Sequence, residues 1–209
     1  MSDTIEVSIR QGRDYMSPRK RALYCQFQTP DVIRKVANDL VSGVEPGAAG
    51  IRHAAVIAQF IKSSIDYDRT GVFPRGTDYL LEQVSSGDCV DQSVLLMSML
   101  EALEFEARYC CYHIHGKSYG HCVVELEIPD NEATAVEVEE TLRSPVHLDA
   151  NLDATVPVVW DTDDYGRWLV IDPTSPLPTG FDRSSAYRVA ENEIRWRPSV
   201  DIVCFRPIR

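Results

Sequence analysis

The stretch from Asp88 to Leu103 restricts this chain more than any other, because a helix-periodic apolar run opens there on a cysteine. Ser86-Gly87-Asp88-Cys89-Val90-Asp91-Gln92-Ser93 puts Cys89 just after a Gly-Asp break. Gly87 lets the backbone turn sharply, and Asp88 is a good helix N-cap. Cys89 then falls at the first helical position. Val90, Val94, Met97, Leu100 and Leu103 line up as one stripe, which predicts a helix buried along that face. A free thiol is mostly protonated at neutral pH, and the unpaired N–H groups of a helix start favour the anion. The same N-terminus offers the Cys89 backbone N–H to a developing oxyanion.

Two further segments supply what a thiol nucleophile needs. Gly120-His121-Cys122-Val123-Val124 opens an alternating strand, with Val123 and Glu125 on the face of His121 and Cys122, Val124, Leu126 and Ile128 on the other. Trp168-Leu169-Val170-Ile171-Asp172-Pro173-Thr174 is a short apolar strand that ends in a carboxylate, and Pro173 stops its ladder. Cys89 attacks, His121 takes or gives the proton, and Asp172 fixes the imidazole tautomer. Asp161, after Trp160, is the fallback for the carboxylate. Each residue alone has a plainer reading: a small buried hydrophobe, a structural histidine, a turn. Their order and local contexts together favour the triad.

A Gly-x-Cys helix start, a strand opening on His and a later strand ending in Asp-Pro-Thr resemble the transglutaminase-like superfamily. The likeness extends upstream to Phe60-Ile61-Lys62-Ser63-Ser64-Ile65-Asp66-Tyr67 and to the segment from Pro74 to Gly87, and covers roughly residues 30–175. The resemblance implies an α+β papain-like fold with a Cys-His-Asp triad, and Tyr67 as a candidate second oxyanion donor. It also implies a cysteine-dependent acyl-transfer enzyme, with hydrolysis of a peptide or related amide favoured. A protein-glutamine transglutaminase or deamidase is the alternative. From another class, a non-catalytic binding or scaffold domain would keep the fold without needing all three groups. The long acidic connection between His121 and Asp172 departs from the shorter one expected in the family.

The remaining segments fit one domain over 209 residues, with a strand-bearing extension at 1–28 and an acidic insert at 129–167. Strands are expected at 5–10 and 22–27, helices at 30–40, 47–65 and 77–84, and a hairpin from 107–114 and 121–128. Residues 129–155, broken by Pro129 and Pro145, read as a surface excursion. Strands near 156–160 and 200–205 complete the pattern. Helices first and an antiparallel sheet after them indicate α+β.

Composition narrows the function. The net charge is -11, from 32 acidic against 21 basic residues, and lysine occurs only at 20, 35, 62 and 117. Such a surface argues against nucleic-acid and anionic-membrane partners, and the partner the resemblance implies is a peptide or protein substrate. It fits either a high-salt cytoplasm or an arginine-rich genome. No apolar run reaches transmembrane length and no signal-peptide core opens the chain, so cytoplasmic residence is expected. The six cysteines (25, 89, 110, 111, 122, 204) lack the spacing of a disulfide scaffold, and a chain of this length needs no staples. Cys111, His113 and His115 alternate on one strand face and invite a zinc reading. They lack a C-x2-C or H-x3-H pair, and no metal or cofactor is expected. His53 and His147 read as incidental. The acidic insert, leaving and returning near the site, suggests a lid that favours neutral or basic substrates, or a solvated surface without a role.

Overall fold

A computed structural model describes residues 5–17, 29–68, 76–82, 86–117, 120–129, 134–143, 160–164, 166–174, 187–190 and 193–207. The expected strand at 22–27 and most of that near 156–160 lie outside them.

The helices come first along the chain after a single strand, β1 (Ile5–Gln11). α1 (Asp31–Val41) begins after Pro30 and buries Ile33, Ala37 and Val41, one residue per turn. A 3-10 turn at Ala48–Gly50 leads into α2 (Ile51–Ser64), which buries Ile51, Ala54, Ile57 and Ile61. Two short strands, β2 (Asp66–Tyr67) and β3 (Ser86–Gly87), pair in parallel around α3 (Thr77–Glu82). α4 (Cys89–Ala102) has every residue buried except Glu101. It packs on β4 (Ala107–Ile114) and β5 (Gly120–Glu127), and α1, α2 and α3 pack against it. A helix buried all round serves as a domain's central post.

The other strands are β6 (Trp160–Asp163), β7 (Gly166–Ile171), β8 (Tyr187–Ala190), β9 (Glu193–Trp196) and β10 (Val200–Pro207). Together they form an eight-stranded sheet in the order β1-β10-β4-β5-β7-β6-β9-β8. It is antiparallel throughout, apart from one parallel pairing of β6 with β9 at Trp160 and Glu193. The sheet curls so far that Arg10 on β1 reaches Asp161 on β6, across the four strands that lie between them in the order.

That crossing organises the sheet's second interior. Both terminal nitrogens of Arg10 bond the Asp161 carboxylate, and Arg10 also meets Glu125 at 3.3 Å and Asp163 at 3.3 Å. Arg108 bonds Glu125 at 2.7 Å and Asp163 at 2.6 Å while lying 3.8 Å over the Trp168 ring. Trp196 donates its indole N–H to Asp161 at 2.7 Å. Burial, seconded by the Asp161 charge, raises Glu125 to about 7 against the opposing pull of Arg108 and Arg10.

The sheet also overturns the reading of the cysteines. Cys110 is bonded to Cys204 and Cys111 to Cys122. Each pair faces directly across a strand boundary, Cys110 opposite Cys204 on β10 and Cys111 opposite Cys122 on β5. Register, which linear spacing does not reveal, makes them partners. Disulfides persist in oxidising surroundings, which sets them against the cytoplasmic residence expected. Cys89 is the free cysteine among the described residues. In the acidic insert, α5 (Ala135–Arg143) replaces the expected excursion over that stretch, with Val138 fully buried and the helix packed against α2. Its start is a capping box: Glu137 Oε2 accepts from the Thr134 N–H at 2.8 Å, and Thr134 Oγ1 accepts from the Glu137 N–H at 3.3 Å. No helix among the described residues is long and apolar enough to cross a membrane.

Two outcomes follow for this architecture. Peptide mapping without reductant should recover Cys110 linked to Cys204 and Cys111 linked to Cys122. Asp161→Ala takes from Arg10 its two-pronged partner and from the Trp196 indole its acceptor, and should lower unfolding stability by about 2 kcal/mol in urea titrations.

Candidate active site

Cys89 owes its position to a reciprocal cap. Asp88 Oδ1 accepts from the N–H groups of Val90 and Asp91 at 2.9 and 3.1 Å, and Asp91 Oδ2 accepts from the Asp88 N–H at 3.2 Å. The cap engages the second and third helical N–H groups and leaves that of Cys89 outside it. Gly87 is required by the same device: a Cβ there would lie 2.8 Å from the Asp91 Cβ. The Cys89 side chain is nearly covered, at 9% exposure.

His121 lies on β5 directly opposite Tyr112 of β4, whose ring meets the imidazole edge-on at 5.7 Å between centroids. Its Nε2 bonds Asp172 Oδ2 at 2.9 Å. Asp172 stands one residue beyond the end of β7, as the Asp-Pro pair suggests. Its second oxygen accepts from the Thr174 N–H at 3.0 Å and the Thr174 hydroxyl at 2.6 Å. With both oxygens engaged, the carboxylate holds one orientation. Nε2 is committed to Asp172, and the Cys89 sulfur lies near enough to the ring to favour its protonated form. Burial pushes the imidazolium toward deprotonation, but the Asp172 charge and hydrogen bond and the Cys89 sulfur outweigh it and raise His121 to about 10.

Tyr67 is half-buried on β2, where it pairs with Gly87, two residues before Cys89. The Asp68 N–H bonds the Gly87 carbonyl at 3.0 Å, which continues that pairing past the tyrosine. The structure thus brings Cys89, His121 and Asp172 together and sets the Tyr67 backbone beside them. Asp161 is taken up by Arg10 and Trp196 instead.

The zinc reading of β4 meets different partners. Cys111 is spent in its disulfide, His113 bonds the Lys117 carbonyl at 2.9 Å and stacks on Tyr15, and His115 meets Asp201 at 3.0 Å. Among the described residues, the ligand atoms that converge as a metal set would are those of Cys110, Glu125 and Cys204. There the sulfurs are joined to each other and Glu125 is held by Arg108.

Sequence reasoning missed three supports. Asp91 completes the cap, and the Asp-x-x-Asp spacing was its signal. Thr174 braces Asp172 from two positions on, a common Asp-x-Thr turn pattern. Gln92, fully buried one turn after Cys89, had no signal distinguishing it from a solvent-facing glutamine.

A cysteine at the first position of the central helix thus stands beside a histidine–carboxylate pair on the sheet. The chain belongs to the transglutaminase-like superfamily, whose family model matches residues 34–173. That span contains Tyr67, Cys89, His121 and Asp172. No curated protein matches the chain. The chain is similar in part to a crystal structure from Cytophaga hutchinsonii named a "Putative Cysteine Protease" (18% identity, TM-score 0.40) and to one from Parabacteroides distasonis ATCC 8503 named a "putative protease" (15% identity, TM-score 0.43). The alignments cover 54% and 58% of this chain, but only 39% and 26% of those chains.

The raised His121 value has a direct spectroscopic consequence. Its ring proton resonances should not titrate between pH 6 and 8, and should move only toward pH 10. Because the folded value lies above the unfolded one near 6.5, the stability it contributes is full below pH ~6.5 and lost as pH rises toward 10. Asp172→Asn should bring the ring's titration down in NMR.

Proposed function

We propose that the chain is a cysteine-dependent acyl-transfer enzyme acting on an amide, with Cys89 as nucleophile, His121 as acid and base, and Asp172 as the imidazole's orienting partner. The observation that supports this reading is the braced Asp172 carboxylate on His121 at 2.9 Å, with the Cys89 sulfur near enough to the same ring to favour its protonated form. A structural histidine has no need of a braced carboxylate on one side and a thiol at a helix start on the other.

In this mechanism the pair reacts as thiolate and imidazolium. The thiolate attacks the substrate carbonyl carbon, a C–S bond forms, and the carbonyl electron pair moves to oxygen. The Cys89 N–H, which the Asp88 cap does not engage, faces that oxyanion, with Tyr67 as the second donor. The intermediate collapses, the C–N bond breaks, and His121 gives its proton to the leaving nitrogen. The thioester then yields to water, which loses a proton to His121 as it attacks. An amine in the place of that water would give transfer rather than hydrolysis. The substrate proposed is a neutral or basic peptide or protein, in keeping with the net charge of -11.

Iodoacetamide offers the first test. At pH 6 to 7 Cys89 should alkylate much faster than Cys25, and the four disulfide sulfurs should not react. Equal, slow labelling of Cys89 and Cys25 would leave a binding domain that keeps the fold. Cys89→Ala should abolish turnover of peptide amides without loss of fold. His121→Ala should lose about as much, since such groups act as a unit. Turnover retained by Cys89→Ala would rule out the mechanism.

A further inference from the structure

Gln92 is buried to 1% exposure on α4, one turn beyond Cys89. Its Nε2 donates to two backbone carbonyls, that of Ile65 at 3.2 Å and that of Gly87 at 3.4 Å. Its Oε1 is buried with no hydrogen-bond partner among the described residues. The opposite amide orientation would set an oxygen against both carbonyls, so the nitrogen is correctly placed. A buried carbonyl oxygen without a donor is destabilising, a penalty that leucine or methionine at this position would avoid. What requires a glutamine here is therefore the pair of bonds its nitrogen makes.

Those two bonds reach both sides of one small device. Ile65 leads into β2 and Tyr67. Gly87 closes β3 and leads into Asp88 and Cys89. The β2–β3 ladder has two residues in each strand, too few to hold a register alone. Gln92 ties both strands to the helix that carries Cys89.

We propose that Gln92 is a positioning residue for the thiol chemistry, clamping the Tyr67 segment to the Gly87 turn so that Tyr67 and the Cys89 N–H flank the same carbonyl oxygen. This rests on the acyl-transfer reading above. Gln92 touches no reacting atom. It sets the distance between two donors whose value lies in geometry, where a displacement of about 1 Å costs on the order of 100-fold in rate.

The experiment uses p-nitrophenyl acetate as the acyl donor and the full chain. Gln92→Met keeps the volume and removes the donor. Its kcat should fall about 100-fold with KM little changed, while the rate and pH profile of Cys89 alkylation by iodoacetamide stay as in the parent. A merely structural role would lower the folded fraction and reduce alkylation and turnover together. Gln92→Glu keeps the test standing if the methionine variant fails to fold. Its carboxyl can donate only when protonated, so its kcat relative to the parent should rise as pH falls. A Gln92→Met kcat near that of the parent, a flat ratio for Gln92→Glu, or joint loss of alkylation and turnover overturns the proposal. If the parent neither cleaves the ester nor alkylates preferentially at Cys89, the acyl-transfer reading itself fails and Gln92 falls with it. An active parent with unaffected variants removes Gln92 alone.

Discussion

A helix buried along its whole length can begin only where its first N–H groups find acceptors other than water. For α4 that condition is met by the Asp88–Asp91 capping box, and much of the site follows from it. The cap fixes where the helix starts, and the start fixes where Cys89 stands. It uses the N–H groups of Val90 and Asp91 and leaves that of Cys89 aside. Gly87 must lack a side chain so that Asp91 can fold back, and β2 finds its pairing partner in the same turn. The chemistry proposed for Cys89 is thus a by-product of solving a burial problem.

The sheet solves a second problem from its other side. A strongly curled sheet encloses an interior too narrow for helices, and this one fills it with two arginines, three carboxylates and the rings of Trp168 and Trp196. The ion pairs act as cross-ties: Arg10 of the first strand ends on Asp161 of the sixth. Trp196, held by Asp161, packs against Tyr112 at 5.1 Å, and Tyr112 meets the edge of His121. The imidazole thus has packed rings behind it and a braced carboxylate beside it, and both restrict its rotation. The disulfides add covalent ties among β10, β4 and β5, the last being the strand that carries His121.

Much of the candidate site was legible because its signals are local. The Gly-Asp-Cys break, the apolar stripe behind it, the alternation after His121 and the stop at Asp172-Pro173 each depend on a few neighbouring residues. The helix α5 was equally local, since Thr134 and Glu137 stand at capping-box spacing. Its apolar content is thin, and the acidic surroundings hid it.

What the sequence determined by itself is where the elements begin and end, and which residue types stand at those ends, because caps, turns and strand alternation act over three or four positions. Tertiary structure decided the rest. It paired Cys110 with Cys204 and Cys111 with Cys122, since disulfide partners follow register and register follows the sheet's order. It sent Asp161 to Arg10 and left Asp172 for His121, because the curl of the sheet, invisible in any window of sequence, decides which carboxylate meets which base. It also buried Gln92 against the backbone carbonyls of Ile65 and Gly87, giving a polar residue a place that only the packing of α4 defines.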